Sequence, residues 1–194
     1  MTLLLLGLAL FIGVHSVRIV ADDWRARVIA ARGPGAWKAG YSLLAVAGFV
    51  LICVGFGQAR ASGANPVLWV PPTGLRHAAA LLTLLAFILL AAAKVPGNGI
   101  RARVGHPQVL GVKLWAGAHL LANGGLAQVL LFGSLLAWAV LDFRASRQRD
   151  RAEGVVRAPG RAGATVLTVG AGTAAWATFA FWAHGVLIGV RPLG

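Results

Sequence analysis

Apolar residues fill six blocks of the chain, at about 2–20, 39–57, 74–93, 107–122, 125–142 and 164–189, and the charged residues collect between them. Crossing the hydrocarbon core of a bilayer takes roughly 20 helical residues. Blocks of this length, without the polar positions that recur through an amphipathic helix, mark membrane spans. The pattern predicts an all-α integral membrane protein, a six-helix bundle forming a single transmembrane domain over residues 1–194. The fourth block is short, about 16 residues or ~24 Å at the helical rise. "ANGG" then turns it directly into the fifth, so these two are expected as a tight helical hairpin. The segment 143–163, "FRASRQRDRAEGVVRAPGRAG", is rich in Arg, Gly and Pro and reads as a solvated loop. The first block, "MTLLLLGLALFIGVHSVRIVADDW", lacks both a basic leader and a small-residue cleavage site, so a retained first helix is expected. No internal repeat is visible.

Composition agrees: 58% of residues are hydrophobic and 12% charged, where a soluble domain carries about 25% charge. The net charge of +13 changes the picture more. A basic balance commonly marks a nucleic-acid partner, but here the cations lie between membrane blocks, where they set orientation. The expected partner is the lipid bilayer, with no nucleic acid. With the N-terminus outside, the inner connections carry Arg18, Arg25, Arg27, Arg32, Lys38, Lys94, Arg101 and Arg103, then Arg144, Arg147, Arg149, Arg151, Arg157 and Arg161. The outer side keeps Arg60, Arg76 and Arg191. That is fourteen cations against three, with Lys113 inside the fourth span. The positive-inside rule then places both termini outside and the 143–163 loop in the cytoplasm. Trp24, Trp37 and Tyr41 fall near the inner boundary and Trp69 near the outer one, where aromatic anchors belong.

All five acids (Asp22, Asp23, Asp142, Asp150 and Glu153) lie in connections or at span ends. Proton-coupled transport usually needs a carboxylate at membrane depth, so that class loses weight. The single Cys53 excludes an intramolecular disulfide, and without C-x-x-C-H there is no covalent haem attachment. It reads as a small buried apolar residue. Histidine remains. His119 stands among alanines and leucines well inside the fourth span. His15 sits three residues before Arg18, on one helix face with it, an arrangement that suits an iron ligand and a propionate partner. His106 precedes Pro107 at a helix start. His77 and His184 fall near the outer boundary, where water is available. Zinc needs three or four converging ligands, whereas b-type haem needs two imidazoles from facing helices and cations for its propionates. The supply favours haem b, with His15, Arg18, His106 and His119 as the candidate binding residues. Depth adds a constraint. His15 lies about five residues, ~7 Å, from the inner end of its span, and His119 about twelve residues, ~18 Å. Axial ligands of one haem need similar depth, which keeps His106 as a substitute.

"FIGVHSVRI", "YSLLAVAGFVL", "RHAAALLTLLAFILL", "VPGNGIRARVGHPQVLGVKLWAGAHLLANG" and "LFGSLLAWAVLDFR" together resemble the NnrU family over nearly the whole chain. That family includes bacterial membrane proteins associated with nitrite and nitric oxide reduction, and the plant 15-cis-zeta-carotene isomerase, a membrane enzyme with haem b. The resemblance implies that His15, in the "HS" motif, and His119, in the W-x-x-x-H motif after "HP", are the axial ligands of the haem iron. One departure is plain: the isomerase carries a cysteine after the tryptophan, where this chain has Ala116. Two functions follow. The first is a haem b protein of the bacterial inner membrane that supports denitrification by electron transfer, haem handling or sensing, with a quinol or a redox protein as partner. The second is a haem-dependent cis-trans isomerase of a carotenoid, which would need an open iron position. A cofactor-free transporter is a third.

Overall fold

The computed structural model describes residues 1–63 and 65–193. Among these, the regular structure is helical: α1 (Thr2–Val20), α2 (Asp22–Ala61), α3 (Thr73–Lys94), α4 (Gly99–Val104), α5 (Pro107–Ala122), α6 (Leu126–Ala152) and α7 (Ala162–Thr178), followed by a π-helical turn (Phe179–Ala183) and α8 (His184–Ile188). Five runs, Thr2–Val20, Asp22–Ala61, Thr73–Lys94, Leu126–Ala152 and Ala162–Ile188, are long and apolar enough to cross a membrane, with mean hydropathy from 1.3 to 2.2. The architecture is that of a multi-pass membrane protein. α5 has the bounds expected of the fourth block and, at 16 residues, is shorter than those five.

Three polar segments expected as connections are helical instead, the short α4 among them. α2 begins at Asp22, well before the apolar block, and breaks at Gly33, whose φ of 81° and ψ of 158° leave the helix just before Pro34. Glycine reaches that conformation without a Cβ penalty, and proline then restarts a helix at its first position. At the other end, α6 runs past Asp142 to Ala152 and stops before Gly154, at φ 63°. Arginine, alanine and glutamine are good helix formers, so polarity alone does not end a helix here. Glycine does. Cys53, expected to be buried, is exposed on α2.

The chain packs as two compact units, one of Met1–Trp69 with Gly124–Asp142, the other of Val70–Asn123 with Phe143–Gly194. In the first, α1 lies directly on α2 through glycines. A Cβ on Gly7 would stand 2.6 Å from the Ile52 nitrogen, one on Gly48 2.8 Å from the Phe11 nitrogen, and one on Gly55 would overlap the Leu4 backbone. Small residues permit such backbone approach between membrane helices. Tyr41, Gly48 and Gly55 recur at heptad spacing and so share the α2 face turned to α1. The same unit ties down the start of α6. The Asn65 carboxamide accepts from Ala127 N–H at 2.8 Å and donates to Gln128 Oε1 at 3.0 Å, and Pro66 C=O accepts from Leu126 N–H at 2.9 Å. These satisfy amides that no helical carbonyl can reach.

In the second unit α3 packs with both α5 and α7. A Cβ on Gly111 of α5 would sit 3.1 Å from Ala86 C=O, and one on Gly172 of α7 2.5 Å from the Ile88 Cα. Asn98, 1% exposed, organises the turn after α3. It donates to Ala92 C=O at 2.9 Å and to Val95 C=O, and accepts from Arg101 N–H at 2.7 Å to cap α4. Asn98→Ala strands all three groups in a buried site. The expected loss is about 1–3 kcal/mol, read as a lower thermal midpoint in detergent, with Ser62→Ala, a helix-end hydroxyl, as the near-silent control.

Candidate cofactor site

The glycine contact of α1 with α2 fixes where His15 stands. It lies one turn beyond Phe11, and its Nδ1 donates to Phe11 C=O at 2.7 Å. A carbonyl only accepts, so this bond selects the tautomer with the lone pair on Nε2. Three rings surround the imidazole: Phe11 at 4.1 Å, Tyr41 at 5.3 Å and Trp138 at 5.7 Å between centroids. The Trp138 ring stands nearly perpendicular to it, at 84°. The Trp138 Nε1–H is buried and has no hydrogen-bond partner among the described residues. An unmatched buried donor costs about 1–3 kcal/mol, so the aromatic wall beside His15 holds a donor that lacks an acceptor. Arg18, one turn further on, is mostly exposed and has its Nε 4.0 Å from Asp22 Oδ2, a carboxylate that also pairs with Arg25 at 3.3 Å.

His119 belongs to the second unit and is held by the same device. Its Nδ1 donates to Trp115 C=O at 2.8 Å, again one turn back, and the Trp115 ring lies 4.8 Å away. The lone pair is again on Nε2. Asn123 closes the helix behind it, donating to His119 C=O at 2.9 Å. Of the small residues around His119, Ala116 and Ala118 are fully buried and serve helix packing, whereas a Cβ on Gly117 would meet nothing within 4 Å.

His106 is used differently. Its Nε2 lies 2.8 Å from Asp150 Oδ2, and the same oxygen accepts from Arg157 at 2.6 Å. The pair ties the start of α5 to the end of α6. The Arg157 guanidinium holds the Asp150 carboxyl below its ordinary value of 3.8 against the opposing effect of burial, and His106 adds a lesser pull in the same direction as Arg157. The sign follows from that direction. A depressed carboxylate contributes stability that is complete above the ordinary value and is lost as pH falls through the lower folded one. The thermal midpoint share owed to Asp150 is therefore expected to be constant from neutral pH down to about 3.8 and to vanish only below it. Asp150→Asn should lower the midpoint at neutral pH and flatten that acid limb, which a pH series of melting curves reads directly. Of the remaining histidines, His77 is exposed, and His184, just after the π-helical turn, donates from Nδ1 to Val190 C=O at 2.6 Å. Among the described residues no three His, Cys, Asp or Glu side chains gather as a group able to hold a metal ion.

The family model of the NnrU protein matches residues 3–192, nearly the full length. The chain belongs to the NnrU family. No curated protein and no solved structure matches it. Within this NnrU chain the candidate residues divide, His15 and Arg18 falling in the first unit and His106 and His119 in the second. Residue type, depth in the spans and the HS and W-x-x-x-H motifs drew attention to the histidines. Trp138 and Tyr41 did not stand out, because nothing local separates them from aromatic anchors. The Asp150–Arg157 pair had no local signal, since its histidine lies 44 positions away.

Proposed function

We propose that this NnrU protein is a haem b protein of the bacterial inner membrane, with His15 and His119 as axial ligands, that supports nitrite and nitric oxide reduction by electron transfer, haem handling or sensing. The observation that carries the reading is the shared setting of the two imidazoles, each with Nδ1 donating to the carbonyl one turn back at 2.7–2.8 Å. That is the outer-shell bond that fixes the tautomer, orients the ring and raises the basicity of a metal-ligating histidine. When bound, haem supplies a reversible one-electron change at iron. The chain's own residues do the rest. Phe11 and Trp115 aim Nε2 through their carbonyls, and Trp138 offers an N–H for an acceptor on a bound group. Arg18 offers a guanidinium for a propionate. His106 is left out of the proposed ligand pair, its Nε2 lying 2.8 Å from Asp150 Oδ2.

The accompanying topology has six crossings, with α5 as the short one, both termini outside and the segment after α6 in the cytoplasm. The fourteen-to-three cation count supports it, as does the His106–Asp150 tie, which holds the start of α5 and the end of α6 on one side. A quinol or a redox protein is the proposed electron partner.

Absorption spectra of the detergent-purified protein, oxidised and dithionite-reduced, with and without carbon monoxide, test the reading. A b-type spectrum indifferent to carbon monoxide is the expected result and means two fixed imidazoles. Carbon monoxide binding to the reduced form would narrow the reading to sensing or replace it with isomerase-like chemistry. No Soret band after haem reconstitution would overturn it in favour of cofactor-free transport.

A further inference from the structure

Beyond α6's apolar stretch, within the second unit, Val104, Leu110, Phe143, Arg144, Arg147, Gln148 and Arg151 line an open groove of about 690 Å³. Arg144, Arg147 and Arg151 recur at three- and four-residue intervals, so one face of α6 presents all three guanidinium groups. None of them has a hydrogen bond or ion pair with a described residue. The nearby carboxylate, Asp150, is already taken by Arg157 and His106. Lys113 adds a further cation, its Nζ 5.9 Å above the Phe143 ring on the groove's wall. The chain carries 18 Lys and Arg against 5 acids, so its cations outnumber its carboxylates more than threefold.

We propose that this groove binds the headgroup of an anionic phospholipid. Charge complementarity calls for a phosphate, for which arginine supplies paired donors. The remaining lining decides which phosphate. Phe143 sits where α6 leaves its apolar stretch and Leu110 lies within the first turns of α5, so the groove is apolar toward the hydrocarbon and cationic away from it. A phospholipid has that polarity: acyl chains, then glycerol, then phosphate. A free anion would leave Phe143, Leu110 and Val104 with nothing to cover. The groove is also separate from the proposed haem ligands, since Leu110 is roughly 13 Å from His119 along α5.

The experiment is native mass spectrometry of the full-length protein released from detergent, titrated with dioleoyl phosphatidylglycerol, dioleoyl phosphatidylcholine or inorganic phosphate. The wild type is expected to retain phosphatidylglycerol at much lower lipid concentration than phosphatidylcholine. Each arginine changed to glutamine should weaken that retention about fivefold, and the triple variant Arg144→Gln/Arg147→Gln/Arg151→Gln should reduce phosphatidylglycerol to the level of phosphatidylcholine. Arg27→Gln/Arg32→Gln removes charge elsewhere and should leave retention unchanged. Should the triple variant fail to fold, Arg147→Gln alone and the groove-filling Leu110→Trp carry the same expectation. Equal retention of the two lipids, undiminished binding in these variants, equal loss in the Arg27/Arg32 variant, or displacement of lipid by millimolar phosphate would each overturn the proposal.

Discussion

His15→Ala and His119→Ala should each strip the proposed haem b from the purified protein or change its spectrum, while His77→Ala should leave the spectrum as it was. That is the expected result of the largest perturbation the proposed function admits. Removing an outer-shell partner of a metal ligand typically costs 10–100-fold in affinity, and removing the ligand itself should exceed that. The two variants should differ in kind from a folding defect. Each imidazole is half-buried, and its replacement by alanine suits a helix, so circular dichroism and the melting profile of the apo protein should change little. His77→Ala is the proper control because His77 is exposed at the start of α3. A wild-type Soret band in both of the first two variants would sink the ligand assignment, whatever else the protein binds.

Gly55→Leu should prevent stable folding, or lower the melting midpoint by the largest margin of any single change in the first unit. Even a Cβ at this position overlaps the Leu4 backbone, and Leu4 is fully buried. No rotamer of the new side chain relieves a clash that begins at its first atom, so α1 must shift bodily. Overpacking usually costs about 1–3 kcal/mol, occasionally more, and here the upper end applies because the obstacle is main chain. Gly57→Ala supplies the contrast. A Cβ there meets nothing within 4 Å, and alanine is favoured over glycine in a helix by about 0.5–1 kcal/mol. Thermal unfolding in one detergent should move the two variants in opposite directions. A Gly55→Leu protein that melts like wild type would show that α1 and α2 do not touch as described. The first unit also carries His15, so haem retention is expected to fall along with stability.

Apolar length and helix signals made much of the fold legible. Thr2–Val20 and Pro107–Ala122 have the bounds that the hydrophobic blocks imply, the second fixed by Pro107 at its start and "ANGG" at its end. What escaped was helix beyond the membrane blocks, at 22–32, 99–104 and 143–152. There, arginines suggested loop, although they stabilise helix as well as leucine does. The real punctuation was Gly33–Pro34 and Gly154. For the candidate site, the histidines were legible as residue types; the bond from each Nδ1 to the carbonyl one turn back was not, because it depends on the side-chain rotamer. Nor was the aromatic wall. Placing Trp138 beside His15 needs the tertiary packing of the first unit, which no local pattern encodes. The engagement of His106 with Asp150 was hidden for the same reason, since the two lie 44 positions apart.

The cap on α6 also has a direction in time. Asn65 and Pro66 supply the partners for the first amides of a helix that begins some sixty residues later, and the ribosome makes them first. During synthesis the nascent α6 therefore emerges to find its terminus already provided for, docked on a segment whose own helices have had time to insert. Chains generally fold from the N-terminus as they are made, and this arrangement makes that order productive. A circular permutant that places Leu126 ahead of Asn65 would present α6 to the membrane with bare amides. Its cost would appear first in insertion yield and only later, if at all, in the stability of the molecules that succeed.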